Sequence, residues 1–209
     1  MDYLIEMKIC INNKNENRMK RIFFIVCLIC FTVSLVKAQD LKIANIFSDD
    51  MVLQQKTETP FWGWGQPNRQ ITIKVSWLQD TVFLDKVTST GDWKILIPTP
   101  KFGGPHKVSI TDGLETIELK DVFVGEVWLA SGQSNMYMPL SGYCCQPVEE
   151  STEAILGASK KQVHFINIPN LAAYKPQKDV QAKWVKATVE NVAECSAVGW
   201  FFADFLQQN

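Results

Sequence analysis

The chain has 209 residues, 21 Lys and Arg against 22 Asp and Glu, and 46% hydrophobic residues. That length allows one large domain or two small ones, and the composition argues against a disordered chain. A net charge of −1 without any basic run argues against a nucleic-acid partner.

The amino terminus reads as a targeting segment. Met19-Lys20-Arg21 forms a positive start, and Ile22 to Val36 is almost wholly apolar but short for a membrane span. Val36-Lys37-Ala38 places small residues where signal peptidase cuts, predicting a mature chain from Gln39 that is secreted or periplasmic. Lys37 and Asp40 close the apolar run early, so no stable membrane anchor is expected. Residues 1–38 are therefore a leader, and Cys10, Cys27 and Cys30 go with it. Cys144, Cys145 and Cys195 remain. Export permits disulfides, yet sequence neighbours rarely bridge each other, so the expectation is at most one bridge to Cys195, or three thiols.

Residues 39–121 read as a β-sandwich domain. Ile71, Ile73, Val75 and Trp77 alternate with polar residues. So do Trp93, Ile95 and Ile97, then Val108 and Ile110, then Ile117 and Leu119. Period two predicts strands with one buried face. Pro67-Asn68, Thr90-Gly91-Asp92, Gly103-Gly104-Pro105 and Asp112-Gly113 supply turns between them. Trp62, Trp64, Trp77 and Trp93 could stack on sugars, but tryptophans alternating with polar residues are more often core.

Residues 122–209 change character. Val122 to Ala130 is nearly continuous apolar sequence, which predicts a central strand at about Glu126–Ala130, covered on both faces. A polar turn follows at Ser131 to Asn135. Pro147 to Ser159 predicts a modest helix, and Val163 to Ile168 a short strand. A long polar connection with one strand-like piece near Trp184 leads to a strong helix over Ser196 to Gln208. There Ser196 is a candidate N-cap, and Val198, Phe201, Phe202 and Phe205 share a face. Strand, helix, strand, loop, helix is the opening of an α/β domain.

Chemistry concentrates at Ser131-Gly132-Gln133-Ser134-Asn135-Met136. In α/β folds the turn after a strand exposes side chains and backbone N–H groups together. A serine nucleophile needs both a base to take its proton and donors for the oxyanion. Gly132 permits the sharp turn. The second glycine of the α/β-hydrolase elbow is absent. A Gly-x-Ser loop alone is a weak signal, shared with serines that merely cap helices. Neither histidine suits the base. His106 lies beside a turn, and His164 starts a strand on the order of 13 Å from the carboxyl edge if that strand runs parallel to the first. No cluster has metal-ligand spacing, so neither metal nor cofactor is expected.

The longer stretch Asp121-Val122-Phe123-Val124-Gly125-Glu126-Val127-Trp128-Leu129-Ala130, continuing into that loop, resembles the sialate O-acetylesterase family of the SGNH hydrolase class. Phe47-Ser48-Asp49-Asp50-Met51-Val52-Leu53-Gln54-Gln55 and Phe61-Trp62-Gly63-Trp64-Gly65 resemble its amino-terminal β-domain, with Gly103-Gly104-Pro105 as that domain's last turn. Ser196-Ala197-Val198-Gly199-Trp200-Phe201-Phe202 resembles a later helix. The resemblance implies an N-terminal β-sandwich followed by the first part of a flavodoxin-like hydrolase domain, acting on O-acetylated sugars or glycans. It makes Ser134 the nucleophile and its N–H an oxyanion donor, with Gly132, Gln133 and Asn135 forming the nucleophile loop. It also implies further Gly and Asn donors and an Asp-x-x-His base. No Asp stands three residues before either histidine, so the site is expected to be truncated and incomplete here. Tyr137 stands where relatives commonly carry Glu, and Ala130 and Ala187 stand where many carry Cys, which argues against the family's disulfide. An exported carbohydrate-binding or docking module with a vestigial esterase half is the alternative.

Overall fold

The structure, a computed structural model, describes residues 40–208. The predicted leader and its cleavage site lie outside the described residues. Among those described, no helix is long and apolar enough to cross a membrane.

Eight strands come first: β1 Lys42–Ile43, β2 Val52–Gln54, β3 Glu58–Trp64, β4 Gln70–Val75, β5 Val82–Lys86, β6 Asp92–Pro98, β7 Gly103–Thr111 and β8 Thr116–Gly125. One sheet has the order β1-β3-β6 and the other β2-β8-β7-β4-β5. β2 and β8 run parallel, and every other described pair is antiparallel. The predicted alternation is realised: Ile71, Ile73 and Val75 of β4 are buried, as are Trp93, Ile95 and Ile97 of β6 and Val108 and Ile110 of β7. These side chains, with Phe61, Leu53, Leu119, Val122 and Val124, make one core lined by both sheets. Trp93 is buried in it, and Trp62, Trp64 and Trp77 pack at its edge. Three indole N–H groups satisfy backbone carbonyls: Trp62 to Lys178, Trp77 to Pro98 and Trp93 to Trp64. These tryptophans are structural, since their polar tips are engaged and their rings fill the core.

Two details differ from the sequence expectation. Gly103-Gly104-Pro105 opens β7 rather than forming a turn. His106 consequently sits on a strand, half-buried against Trp77 at 5.2 Å and within 3.3 Å of the Ser76 hydroxyl. β8 also carries a bulge. His106 faces Val122 and Val108 faces Leu119, so Lys120 and Asp121 together oppose Lys107, and Asp121 takes φ 52°.

A second, smaller core follows. Leu140, Ala158, Val163, Ala187, Val192, Cys195, Ala197 and Trp200 build it. Around it lie α1 Ser134–Tyr137, α2 Ser151–Gly157 with a 3-10 turn at Ala158–Lys160, β9 His164–Ile166, β10 Trp184–Lys186 and α3 Ala197–Gln208. β9 pairs antiparallel with β10, not parallel with an earlier strand. The predicted helix over 147–159 is shortened to α2. The predicted helix at the end of the chain is found, but rotated. Trp200 and Ala197 are buried, whereas Val198 and Phe202 are exposed, and Phe205 is 65% exposed. Of the expected face Val198, Phe201, Phe202 and Phe205, Phe201 packs partly buried against this core, while the other three lie exposed. The larger indole at Trp200 takes the cavity instead, because it removes more apolar surface from water.

The central strand expected at Glu126–Ala130 is not formed. Residues 126–130 pair with no strand, and Leu129 is 89% exposed. A buried strand needs hydrogen-bonded strand neighbours, and no described strand pairs with this segment.

Candidate active site

Ser134 is exposed and opens the single-turn helix α1. Gln133 is its N-cap. The Gln133 carbonyl accepts from Tyr137 N–H at 3.0 Å, and that of Ser134 from Met138 N–H at 3.0 Å. No side chain caps this end, so the first-turn N–H groups have no capping partner. Asn135 is the next exposed residue of the turn. Gly132 is required by crowding: a Cβ there would meet the Met136 Cβ at 2.9 Å. Gly132, Gln133, Ser134 and Asn135 thus form one exposed loop-to-helix turn.

Both ends of this segment are tied down. At its start, Glu126 accepts from the Gln55 side-chain amide at 2.6 Å and from that of Gln54 at 3.4 Å. The Gln54 side-chain carbonyl accepts from Val127 N–H at 2.8 Å. These amide hydrogen bonds, Gln55 first, hold the Glu126 carboxyl below the usual carboxylate range. Along its length, Trp128 meets Phe202 of α3 edge-to-face at 5.2 Å. At its end, the Ser196 hydroxyl donates to the Met136 carbonyl at 2.6 Å and accepts from Gly199 N–H at 3.2 Å. Ala197 N–H donates to the Met138 carbonyl at 2.8 Å. Ser196 therefore caps α3, as its sequence position predicts, and in the same contact holds the Ser134 helix against α3. The Gln54–Gln55–Glu126 clamp was not foreseen. Its residues stand in the family-like stretches, but a pairing across about 70 positions carries no periodic signal.

Ser196→Ala removes both bonds at once. It is expected to lower stability by about 1–2 kcal/mol, the range for losing a cap. Urea unfolding measures the loss. Ser196→Thr should recover most of it.

Among the described residues, neither histidine is bonded to Ser134. His106 is held by Ser76 and Trp77. His164 Nδ1–H donates to the Asp50 carbonyl at 2.6 Å, its ring lies 4.8 Å from Phe123, and its Nε2 is buried without a partner. Burial pushes the His164 pKa below the usual histidine value; the Asp50 carbonyl and the charges of Asp50 and Asp121 oppose this, and Lys186 adds to it. The folded state therefore favours the neutral form of His164. Its stabilising contribution is complete above the unfolded pKa of about 6.5 and is lost as pH falls from there towards the lower folded value. His106 shifts the same way, through burial. Urea titrations from pH 8 to pH 5 should show falling stability. A His164→Gln variant should flatten that slope by up to about 1.4 kcal/mol per pH unit.

All three described cysteines are free: Cys144 and Cys145 are exposed, and Cys195 is buried. The possible bridge to Cys195 is not present. Burial pushes the Cys195 thiol up to about 11, which leaves it unreactive. Among the described residues, no group of three or more His, Cys, Asp or Glu could hold a metal ion.

No protein-family model matches the chain. Comparison with known proteins finds similarity to proteins named as carbohydrate acetylesterases. A crystal structure of a carbohydrate acetylesterase from Xanthomonas citri superposes with a TM-score of 0.73 at 32% identity, covering 81% of this chain and 38% of that one. The human sialate O-acetylesterase is 31% identical over 79% of this chain, and the mouse enzyme 31% identical over 88%. The chain belongs to the sialate O-acetylesterase family. It spans about a third of these relatives' length, 34% of the human and 36% of the mouse protein.

Proposed function

We propose that this chain carries the nucleophile of an exported serine carbohydrate O-acetylesterase, and that the nucleophile is Ser134. The observation that carries this reading is the exposed Ser134 at the uncapped start of a helical turn anchored by Glu126 and Ser196, in a chain whose relatives are named for removing O-acetyl groups. The Ser134 oxygen attacks the acetyl carbonyl, and its proton passes through a base to the departing sugar oxygen. Water then releases acetate from the acyl-serine. In this proposed reaction the backbone N–H of Ser134 donates to the oxyanion. On this reading the base and the remaining donors, the family's Asp-x-x-His, Gly and Asn, act from outside the described residues.

The same reading divides the protein into a leader at 1–38, a β-sandwich domain at 39–121 and the opening of a flavodoxin-like hydrolase domain from 122. Two separate hydrophobic cores favour a division of this kind, although β8 and the first core run on to Gly125 and Val124, past the expected boundary at 121. The substrate class is an O-acetylated sugar or glycan. Acetate release from acetylated sialate and acetylated xylan tests the function. A protein that binds these glycans and releases no acetate, even when joined to a relative's remaining sequence, would make the chain a binding module.

A further inference from the structure

The loop between α1 and α2 holds the two exposed cysteines at the centre of a closed turn. Tyr143 N–H donates to the Gln146 carbonyl at 3.1 Å, and Gln146 N–H donates to the Tyr143 carbonyl at 2.9 Å. Cys144 and Cys145 are the two residues between them. Cys145 has φ 64° and Gly142, just before the turn, φ 72°, so the chain reverses tightly here. The two sulfurs lie 3.5 Å apart. No other described cysteine competes, because Cys195 is buried.

We propose that Cys144 and Cys145 form a reversible dithiol modification site, oxidised to a vicinal disulfide by small-molecule disulfides of the glutathione class. One thiolate attacks the small disulfide, forming a mixed disulfide and releasing one small thiolate. The other thiolate attacks the cysteine sulfur of that mixed disulfide, closes the Cys144–Cys145 bond and releases the second small thiolate. Two cysteine thiols give up two electrons, the small disulfide is reduced to two thiols, and the two thiol protons end on those products.

Geometry sets the character of the bond. The sulfurs must approach by about 1.5 Å to reach bonding distance. Adjacent Cα atoms are about 3.8 Å apart, below the roughly 4.4–6.8 Å usual for disulfides, so the closed form is strained. Strained, exposed disulfides belong to the easily reduced, labile group rather than the structural one. The site also has a physical link to the Ser134 turn. The Tyr143 hydroxyl donates to the carbonyl of Tyr137, the last residue of α1, at 3.4 Å. The thiol chemistry does not depend on the esterase reading and is measured separately from it.

The test equilibrates the full chain with mixtures of reduced and oxidised glutathione, quenches with acid, alkylates under denaturing conditions and weighs the digested peptides. The expected result is a peptide containing both residues that escapes alkylation and is about 2 Da lighter than the dithiol, while Cys195 remains alkylated. Its conversion from mainly reduced to mainly oxidised should span about a hundredfold change in the squared thiol to disulfide ratio, as for a two-electron couple. In the Cys144→Ser variant, a Cys145–glutathione adduct should accumulate at least about tenfold above its level in the unmodified chain, since the resolving thiol is gone. The proposal is overturned if both cysteines stay alkylatable even in oxidised glutathione alone. In the unmodified chain, glutathione stably attached to either one, or a bridge to Cys195 or to a second chain, overturns it as well.

Discussion

In any preparation of this protein that turns over an acetyl ester, Ser134→Ala is expected to lower kcat/KM by on the order of 10⁴-fold or more, as when the nucleophile is removed from other serine hydrolases. The change deletes one exposed hydroxyl from a helical turn whose backbone bonds do not use it, so stability should stay within about 0.5 kcal/mol of the parent. The two readouts separate loss of chemistry from loss of fold. Residues 39–209 alone should show no useful turnover. A neutral serine hydroxyl gains about 10² to 10⁴ from a positioned base, and each oxyanion donor contributes roughly another 10² to 10³. Hydrolysis of a small acetyl ester checks both statements. Enzyme-like turnover by residues 39–209 that Ser134→Ala abolishes would mean that a base lies within them. An active full-length form indifferent to Ser134→Ala would remove the nucleophile assignment.

The largest stability effect is expected at Gly63. This residue sits in β3 between Ile43 of β1 and Trp93 of β6, its register partners. A Cβ there would press on the Lys42 carbonyl oxygen and stand 2.7 Å from the Trp93 ring and 2.9 Å from the Ile43 Cα. Two of these neighbours are backbone and cannot rotate away. The third belongs to a buried indole in the first core. Gly63→Ala should therefore cost about 3 kcal/mol or more, beyond the usual overpacking penalty, and much of the protein should unfold on mild heating. Gly157→Ala is the control. Nothing lies within 4 Å of the added Cβ and the residue is helical, so it should be neutral or stabilising by up to about 1 kcal/mol. Urea midpoints followed by tryptophan fluorescence measure both.

Where one face of the chain meets a core and the other meets water, the elements were legible in the residues. The alternation in β4, β6 and β7 identified the strands and their buried side chains together, because a strand's side chains point to opposite faces in turn. The cap at Ser196 was legible because its hydrogen bond to Gly199 is local, spanning three residues. The Ser134 turn was found through its glycine, its polar residues and the family-like stretch around it. The short strand β2 and the edge strand β5 were missed by periodicity, since three residues show no period and β5 buries no face fully.

Tertiary structure decided the rest. Apolar content in Glu126–Ala130 reads the same whether or not strands lie beside it, and no described strand pairs with the segment. Two helical stripes were available on α3, and the cavity that Trp200 fills chose between them. The direction of β9 followed from its partner β10, about 20 residues later in the chain. The clamp of Glu126 by Gln54 and Gln55, and the bond from Ser196 to the Met136 carbonyl, join residues about 60–70 positions apart. Sequence by itself determined which short segments could be strands, helices and an exposed polar turn, because local sterics and period act within a few residues. Which segments became neighbours, and so what holds Ser134 in place, was decided only when long-range burial and hydrogen bonding were satisfied together.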